Sequence, residues 1–261
     1  MAPDSLVREA SLRRSVDPAE WDVRVKLAAA YRLVDHFGWT EQIYGHLTAR
    51  VPGPEEHFLI NPWGLNYDEV TGSNLVKIDV DGNVVGHSGH PVNFAGFIIH
   101  SAIHMTRSAE NLVVMHTHTR AGMAIAAIKE GLQPISMFST VFHNRIGYHD
   151  YEGASLYPDE RERIVASLGP HKALILKNHG LLVVGRTVAD CFLRLYRLER
   201  ACQIQVDAAA AGTLALIPPV VADRSSNDLD SYQGMQDKPE GEIEFAALMR
   251  KLDRTDGSYK D

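Results

Sequence analysis

The stretch Leu112-Val113-Val114-Met115-His116-Thr117-His118-Thr119 decides how this chain is read. An apolar run followed by alternating histidines reads as a strand, and a β-strand puts residues i and i+2 on the same face. His116 and His118 therefore send both imidazoles to one spot. A second apolar run, Ala173-Leu174-Ile175-Leu176, ends in Lys177-Asn178-His179-Gly180 and could deliver a third. Three neutral nitrogen ligands around an open position is how a catalytic divalent metal is held. Each part has a plainer reading: a solvated or core histidine pair, and an ordinary Asn-His-Gly turn. A polar pair closing an apolar strand is costly to bury without a partner. The joint pattern points to a metal site at strand ends.

Working outward, residues 1–18 read as a polar arm, and a helix is predicted over 21–37 with Gly38 as its stop. Strands are predicted at 44–51 and 58–60 around Pro52-Gly53-Pro54, and at 76–80 and 83–85 around the hairpin signal Asp81-Gly82. Helices follow over 94–106 and 119–129. Next come a strand at 135–139, a loop rich in His, Tyr and Asp over 143–152, and a helix over 159–167. A strand at 181–184 leads to a long helix over 188–211, where Thr187 and Asp190 resemble a capping box. Residues 213–235 read as a polar linker, and an amphipathic helix over 241–252 is expected to sit apart from the main core. The predicted division is an arm (1–18), a main domain (19–215), and a linker with a C-terminal helix (216–261). Short strands and hairpin turns among helices predict an α/β protein with a mixed, largely antiparallel sheet covered on both faces.

A chain of 261 residues suits one large domain with an appendage. Its net charge of −7, without a basic run, argues against nucleic acid or anionic membrane as partners. No run approaches the ~18 apolar residues of a transmembrane helix. The charged N-terminus lacks an apolar signal core, so a cytoplasmic location is expected. Cys191 and Cys202, in one helical pattern, fit core packing in a reducing compartment.

Ten of the thirteen histidines lie between His87 and His179. Three segments carry a family resemblance: Val114-Met115-His116-Thr117-His118-Thr119, Leu176-Lys177-Asn178-His179-Gly180-Leu181-Leu182, and the helix with Leu198-Glu199-Arg200-Ala201-Cys202. Together they resemble the class II aldolase/adducin family over residues 20–215. The resemblance implies an α/β/α sandwich with a central, mainly antiparallel sheet. It also implies a homotetramer with sites near subunit interfaces, and a divalent metal on His116, His118 and His179. Zinc or iron is expected, with manganese or cobalt as alternatives, because imidazole suits several transition metals.

Two departures from the family shape the functional expectation. Its aldolases place a glutamate on the helix before the histidine strand, as fourth ligand and base. Here Pro91-Val92-Asn93-Phe94-Ala95-Gly96-Phe97-Ile98-Ile99-His100 has no carboxylate, and Phe97 takes that place. The family's phosphate loops use small hydroxyl residues, whereas here they read Gly45-His46-Leu47-Thr48 and Asn61-Pro62-Trp63-Gly64. A small, anionic, unphosphorylated substrate is expected. Aldol chemistry needs a base to take a proton from carbon, while decarboxylation does not, since departing carbon dioxide leaves its electron pair behind. The leading expectation is a metal-dependent carbon–carbon lyase, a decarboxylase of a small hydroxy- or oxo-carboxylic acid of the aromatic-acid breakdown type. A non-haem iron oxygenase acting on an aromatic hydroxy acid and a non-catalytic module like the adducin head are the alternatives.

His100, at i+3 from Phe97, is the preferred acid for protonating carbon, with a fourth metal ligand as its other possible role. His104 follows at i+4 and could contact substrate from the same side. In the segment from Arg145 to Gly153, Arg145 could hold a substrate carboxylate with its planar fork, and Tyr148 and His149 could donate protons. Trp63 and Phe97 could wall an aromatic substrate. The competing readings are backbone-satisfied helix histidines, a solvated loop and plain core. Glu199 and Arg200 read as an exposed or interface ion pair. Docking on its own or a neighbouring subunit is expected of the C-terminal helix, with closure over the site as a second possibility.

Overall fold

Seven strands form a single sheet in the computed structural model. It describes residues 12–261 apart from 87, 107, 156 and 236, and the backbone alone at 94–96. In chain order the elements are α1 (Pro18–His36), β1 (His46–Arg50), β2 (Phe58–Ile60), β3 (Val76–Ile78), α2 (Phe94–His104), β4 (Val113–Thr117), α3 (Arg120–Ala126) and α4 (Met137–Thr140). They continue with β5 (Ile146–His149), α5 (Glu160–Leu168), β6 (Ala173–Leu176), β7 (Gly180–Gly185), α6 (Val188–Ala211), α7 (Pro219–Gly234) and α8 (Glu242–Thr255). The strand order is β3-β2-β1-β4-β7-β6-β5. Every neighbouring pair is antiparallel except β5 and β6 at one edge.

The period-2 alternation of the strands assigns each residue to a layer. Val113 and Met115 of β4 join Leu47 and Ala49 of β1 and Leu181 and Val183 of β7 in a core with α1 and α6. Val114, Leu174, Leu182 and Val184 face the other way, against Ile99 and Ile103 of α2 and Ile164 and Leu168 of α5. An α/β/α sandwich results, with the largely antiparallel sheet as its middle layer. His46 is the register partner of His116 across β1 and β4. By the same alternation His46, Thr48 and His116 lie in the layer beneath α2.

The structure revises several predicted elements. Asp17 caps α1 by accepting from Ala19 N (2.7 Å), with Pro18 in the first turn, so the helix begins inside the predicted arm; residues 12–15 of that arm form a helical turn, and residues 1–11 lie outside the described residues. The strand expected at 135–139 is instead a helical turn: Ser136 accepts from Ser139 N, and Ser139 Oγ accepts from Ser136 N. Part of the loop expected over 143–152 is β5, added in parallel to β6. The expected linker carries α7, which hydrogen-bonds to the body of the fold through Ser225 and Thr140 Oγ1 (2.9 Å). Nor does the last helix sit apart. Phe245 and Leu252 of α8 are buried in the main core, with the Phe245 ring edge-on to Phe192. Tyr259 beyond α8 is wholly buried, and its carbonyl accepts from Gly72 N (3.0 Å). Burying such side chains contributes about 1.5–3 kcal/mol each. The tail is part of the fold of its own chain. Among the described residues no helix is long and apolar enough to cross a membrane.

Candidate metal centre

His116 and His118 close β4, and His179 follows β6 in a tight turn. Asn178 takes a positive φ of 56°, a conformation Asn tolerates better than most residues, and His179 N donates to Leu176 O (3.0 Å). Gly180 lets the turn close against the other two rings, since a Cβ there would lie 2.5 Å from Thr117 O and 3.3 Å from His116 Cε1. The outcome is convergence. His116 Nε2 is 2.8 Å from His118 Nε2, which is 3.0 Å from His179 Nε2, and the three nitrogens lie within 4.8 Å of one another. Among the described residues no carboxylate joins this group.

The donor set fits a divalent transition metal. His116 Nδ1 donates to Leu181 O (2.8 Å), which fixes the tautomer and leaves Nε2 as a bare lone pair. Both short nitrogen–nitrogen contacts fall on His118 Nε2, which carries at most one proton and cannot bridge both neighbours. Burial is the first cause that lowers the basicity of all three rings, with neighbouring imidazoles adding to it at His116 and His179. His179 is brought down to about 4, so the rings are neutral at pH 7, as ligation requires.

Beneath the triad lies a buried polar layer. Thr48 Oγ1 is 2.7 Å from both His100 Nδ1 and His104 Nε2, donating to one ring and accepting from the other. The two helix histidines thus meet on one side of α2, as their spacing predicts. His104 also stacks on Phe58, with ring centroids 4.5 Å apart. His100 Nε2 is buried without a hydrogen-bond partner among the described residues. His46 was not singled out from the sequence as a site residue, yet its imidazole lies 5.9 Å from His100, ring to ring. Asn93 Nδ2 donates to His46 Nε2 (3.0 Å), which places the His46 proton on the buried and unpartnered Nδ1. Desolvation drives His46 and His104 down to about 3 and His100 well below its ordinary value.

Other candidates separate by strand parity. His149 points into the α5 layer, where Nδ1 meets Ser167 Oγ (2.9 Å) and Nε2 lies 3.5 Å from the buried Glu160 carboxylate. It shares a small cleft with His179. Tyr148 points to the opposite face, packs in the main core and accepts from Leu132 N (3.1 Å), so it cannot serve the triad as a proton donor. Arg145 precedes β5 at the far end of that strand. Its two terminal nitrogens donate to Asp230 Oδ2 (2.6 Å) and Asn227 Oδ1 (2.7 Å), which holds it away from the substrate's side. Phe97 is core rather than a pocket wall, buried with Phe58, Ile60 and Ile78 beneath the Arg161 guanidinium. Trp63 is half-buried, edge-on to Tyr44, with its backbone N–H donating to Pro91 O (3.0 Å), near the loop that carries Asn93.

Glu199 overturns its sequence reading most plainly. It is buried, not exposed, and accepts a short hydrogen bond from Thr119 Oγ1 and another from Gln203 (2.9 Å). Thr119 is the residue after His118 and the N-cap of α3, accepting from Gly122 N (3.1 Å). Glu199 therefore ties the β4–α3 junction to α6. Burial raises its carboxyl above the ordinary range, against the lowering effect of the Thr119 bond. Arg200 lies over the Tyr196 ring instead.

Comparison with known proteins agrees with this geometry. The family described as Class II Aldolase and Adducin N-terminal domain matches residues 25–206. An aldolase II superfamily protein from Pseudomonas syringae is similar over 96% of this chain and 99% of its own, with 47% identity and a TM-score of 0.89. L-fuculose 1-phosphate aldolase from Glaciozyma antarctica is similar over 93% of both chains, with 30% identity and a TM-score of 0.80. Alpha-adducin of Rattus norvegicus is 45% identical over 91% of this chain, which spans 34% of adducin's length. Class II aldolases use a divalent metal, and the triad offers it a seat. The chain belongs to the class II aldolase and adducin family.

Proposed function

We propose that this protein is a metal-dependent carbon–carbon lyase that decarboxylates a small, unphosphorylated hydroxy- or oxo-carboxylic acid. One observation carries the reading: three imidazoles converge with no carboxylate among them, and Phe97, in the place of the family's glutamate, is buried core. A divalent ion held by three neutral imidazoles keeps its double charge, and would act as anion receptor and Lewis acid toward the substrate's oxygens. Zinc and iron both suit the site. No side chain of the triad supplies a base for removing a proton from carbon, which favours loss of carbon dioxide over aldol cleavage. His100 is assigned the return of a proton to carbon, its Nδ1 held by Thr48 and its Nε2 left unpartnered. His149, backed by Glu160, is the second candidate donor, and Trp63 borders the substrate.

Likeness to L-fuculose 1-phosphate aldolase supports lyase chemistry in general. Against a phosphorylated substrate stand His46, at the start of β1, and Trp63, in the segments where that branch uses small hydroxyl residues. The substrate is a small anion, and the working assembly is a cytoplasmic homotetramer with sites near its interfaces. A second reading, a non-catalytic module, draws support from the adducin likeness; the convergent triad weighs against it. The test is release of carbon dioxide from dihydroxyphthalate-like and hydroxymuconate-like acids. It should require added metal and vanish in His116→Ala. Oxygen consumption by the iron-loaded protein without carbon dioxide release would point to the oxygenase, and inertness of the metal-loaded protein toward both would favour the module.

A further inference from the structure

We propose that a cleft at the opposite end of β5 and β6 binds a small organic oxyanion, independently of the histidine triad. The cleft has a volume of about 200 Å³ and lies where Arg145 and Lys172 precede the two strands, closed by α6 and α7. The triad end of the same strands is a four-residue length away, about 13 Å.

The cleft already displays the chemistry in question. Glu240 is held there as a carboxylate between two guanidinium groups, with Arg197 Nη1 at 2.9 Å from one oxygen and Arg194 Nη2 at 3.3 Å from the other. Arg145 grips Asp230 at the cleft's edge. Four cationic side chains line the space against these two carboxylates. Arg194 is further neutralised by Asp190 (2.6 Å) and Lys172 by Glu110 (2.7 Å). Arg145 and Arg197 each retain N–H donors beyond those bonds, since a guanidinium carries five.

Ser226 supplies the independent sign. The residue borders the cleft, and its Oγ is buried with no hydrogen-bond partner among the described residues. Buried hydroxyls are nearly always satisfied, and an oxygen of a bound anion would satisfy this one. A planar carboxylate suits the arginine forks best. A free phosphate shares that chemistry, so the two are separate arms of the test.

The experiment is calorimetric titration of the chelator-stripped full chain with succinate and, separately, with inorganic phosphate. Expected is saturable binding of succinate at one site per chain, weakened roughly tenfold or more in Arg197→Gln and reduced by salt. Ser226→Ala, which removes a hydroxyl that bonds nothing in the fold, should weaken it several-fold without changing the melting temperature. His118→Ala should leave it unchanged. Phosphate binding with the same dependences would extend the site to oxyanions in general. Absence of saturable binding by either anion overturns the proposal, as does binding that survives Arg197→Gln and Ser226→Ala but is lost in His118→Ala.

Discussion

The candidate metal centre is organised residue by residue, and its least visible support is Glu199. Its hydroxyl partner Thr119 adjoins His118, so the carboxyl braces the backbone that carries that imidazole without touching the ring. Outer contacts of this kind are worth roughly 10–100-fold in metal affinity. Glu199→Ala should lose that much in a chelator-competition titration, whereas Glu199→Gln, which keeps an acceptor for Thr119, should stay within a few-fold of the parent. Equal losses in both variants would show that the charge, not the hydrogen bond, matters. The triad itself was legible because each ligand ends an apolar run, a local pattern. Glu199 was not, because its meaning depends on a hydroxyl 80 positions away that only the fold brings near. The same holds for Arg145, whose partner Asp230 lies 85 positions downstream.

At the scale of the element, strand parity decides which predicted donors can reach the site. β5 sends Ile146 and Tyr148 to one face and Gly147 and His149 to the other. Tyr148→Phe should cost about 1 kcal/mol in urea denaturation, from the lost acceptor for Leu132 N, and should leave metal affinity unchanged. A large loss of metal binding would place its hydroxyl at the site after all. β5 escaped sequence reading because it is four residues long and contains a glycine, too brief for alternation to stand out. α7 escaped because its residues are mostly polar; Pro219 at its start and its bonds to Thr140, Asn144 and Arg145 reveal it. The long helix α6 and the runs of β6 and β7 were plain, since their apolar pattern extends over whole elements.

Over the whole molecule, the buried histidine layer makes stability depend on acidity. His46 and His104 are lowered to about 3 and His100 is lowered as well, all chiefly by desolvation, while in the unfolded chain they regain an ordinary value near 6.5. A depressed folded value means stability is fully present above the unfolded value. It is lost as pH falls from about 6.5 toward about 3, because the unfolded chain binds protons that the fold refuses. Each histidine contributes up to about 1.4 kcal/mol per pH unit in that window. Denaturant melts of metal-free protein should therefore lose several kcal/mol between about pH 7 and pH 5. A flat profile would mean that these rings are hydrated or already charged in the native state. The sandwich was legible in outline; the docking of α7 and α8 on the main body was not, for it rests on single anchors such as Phe245 and Tyr259 rather than on a repeating pattern.

The most direct measurement is metal K-edge X-ray absorption on protein loaded with one zinc equivalent, compared with the His116→Ala variant. Expected is a stoichiometric ion whose only protein ligands are three imidazole nitrogens, with occupancy lost in the variant. A protein carboxylate among the ligands, or full occupancy without His116, would contradict a centre built from three neutral histidines alone.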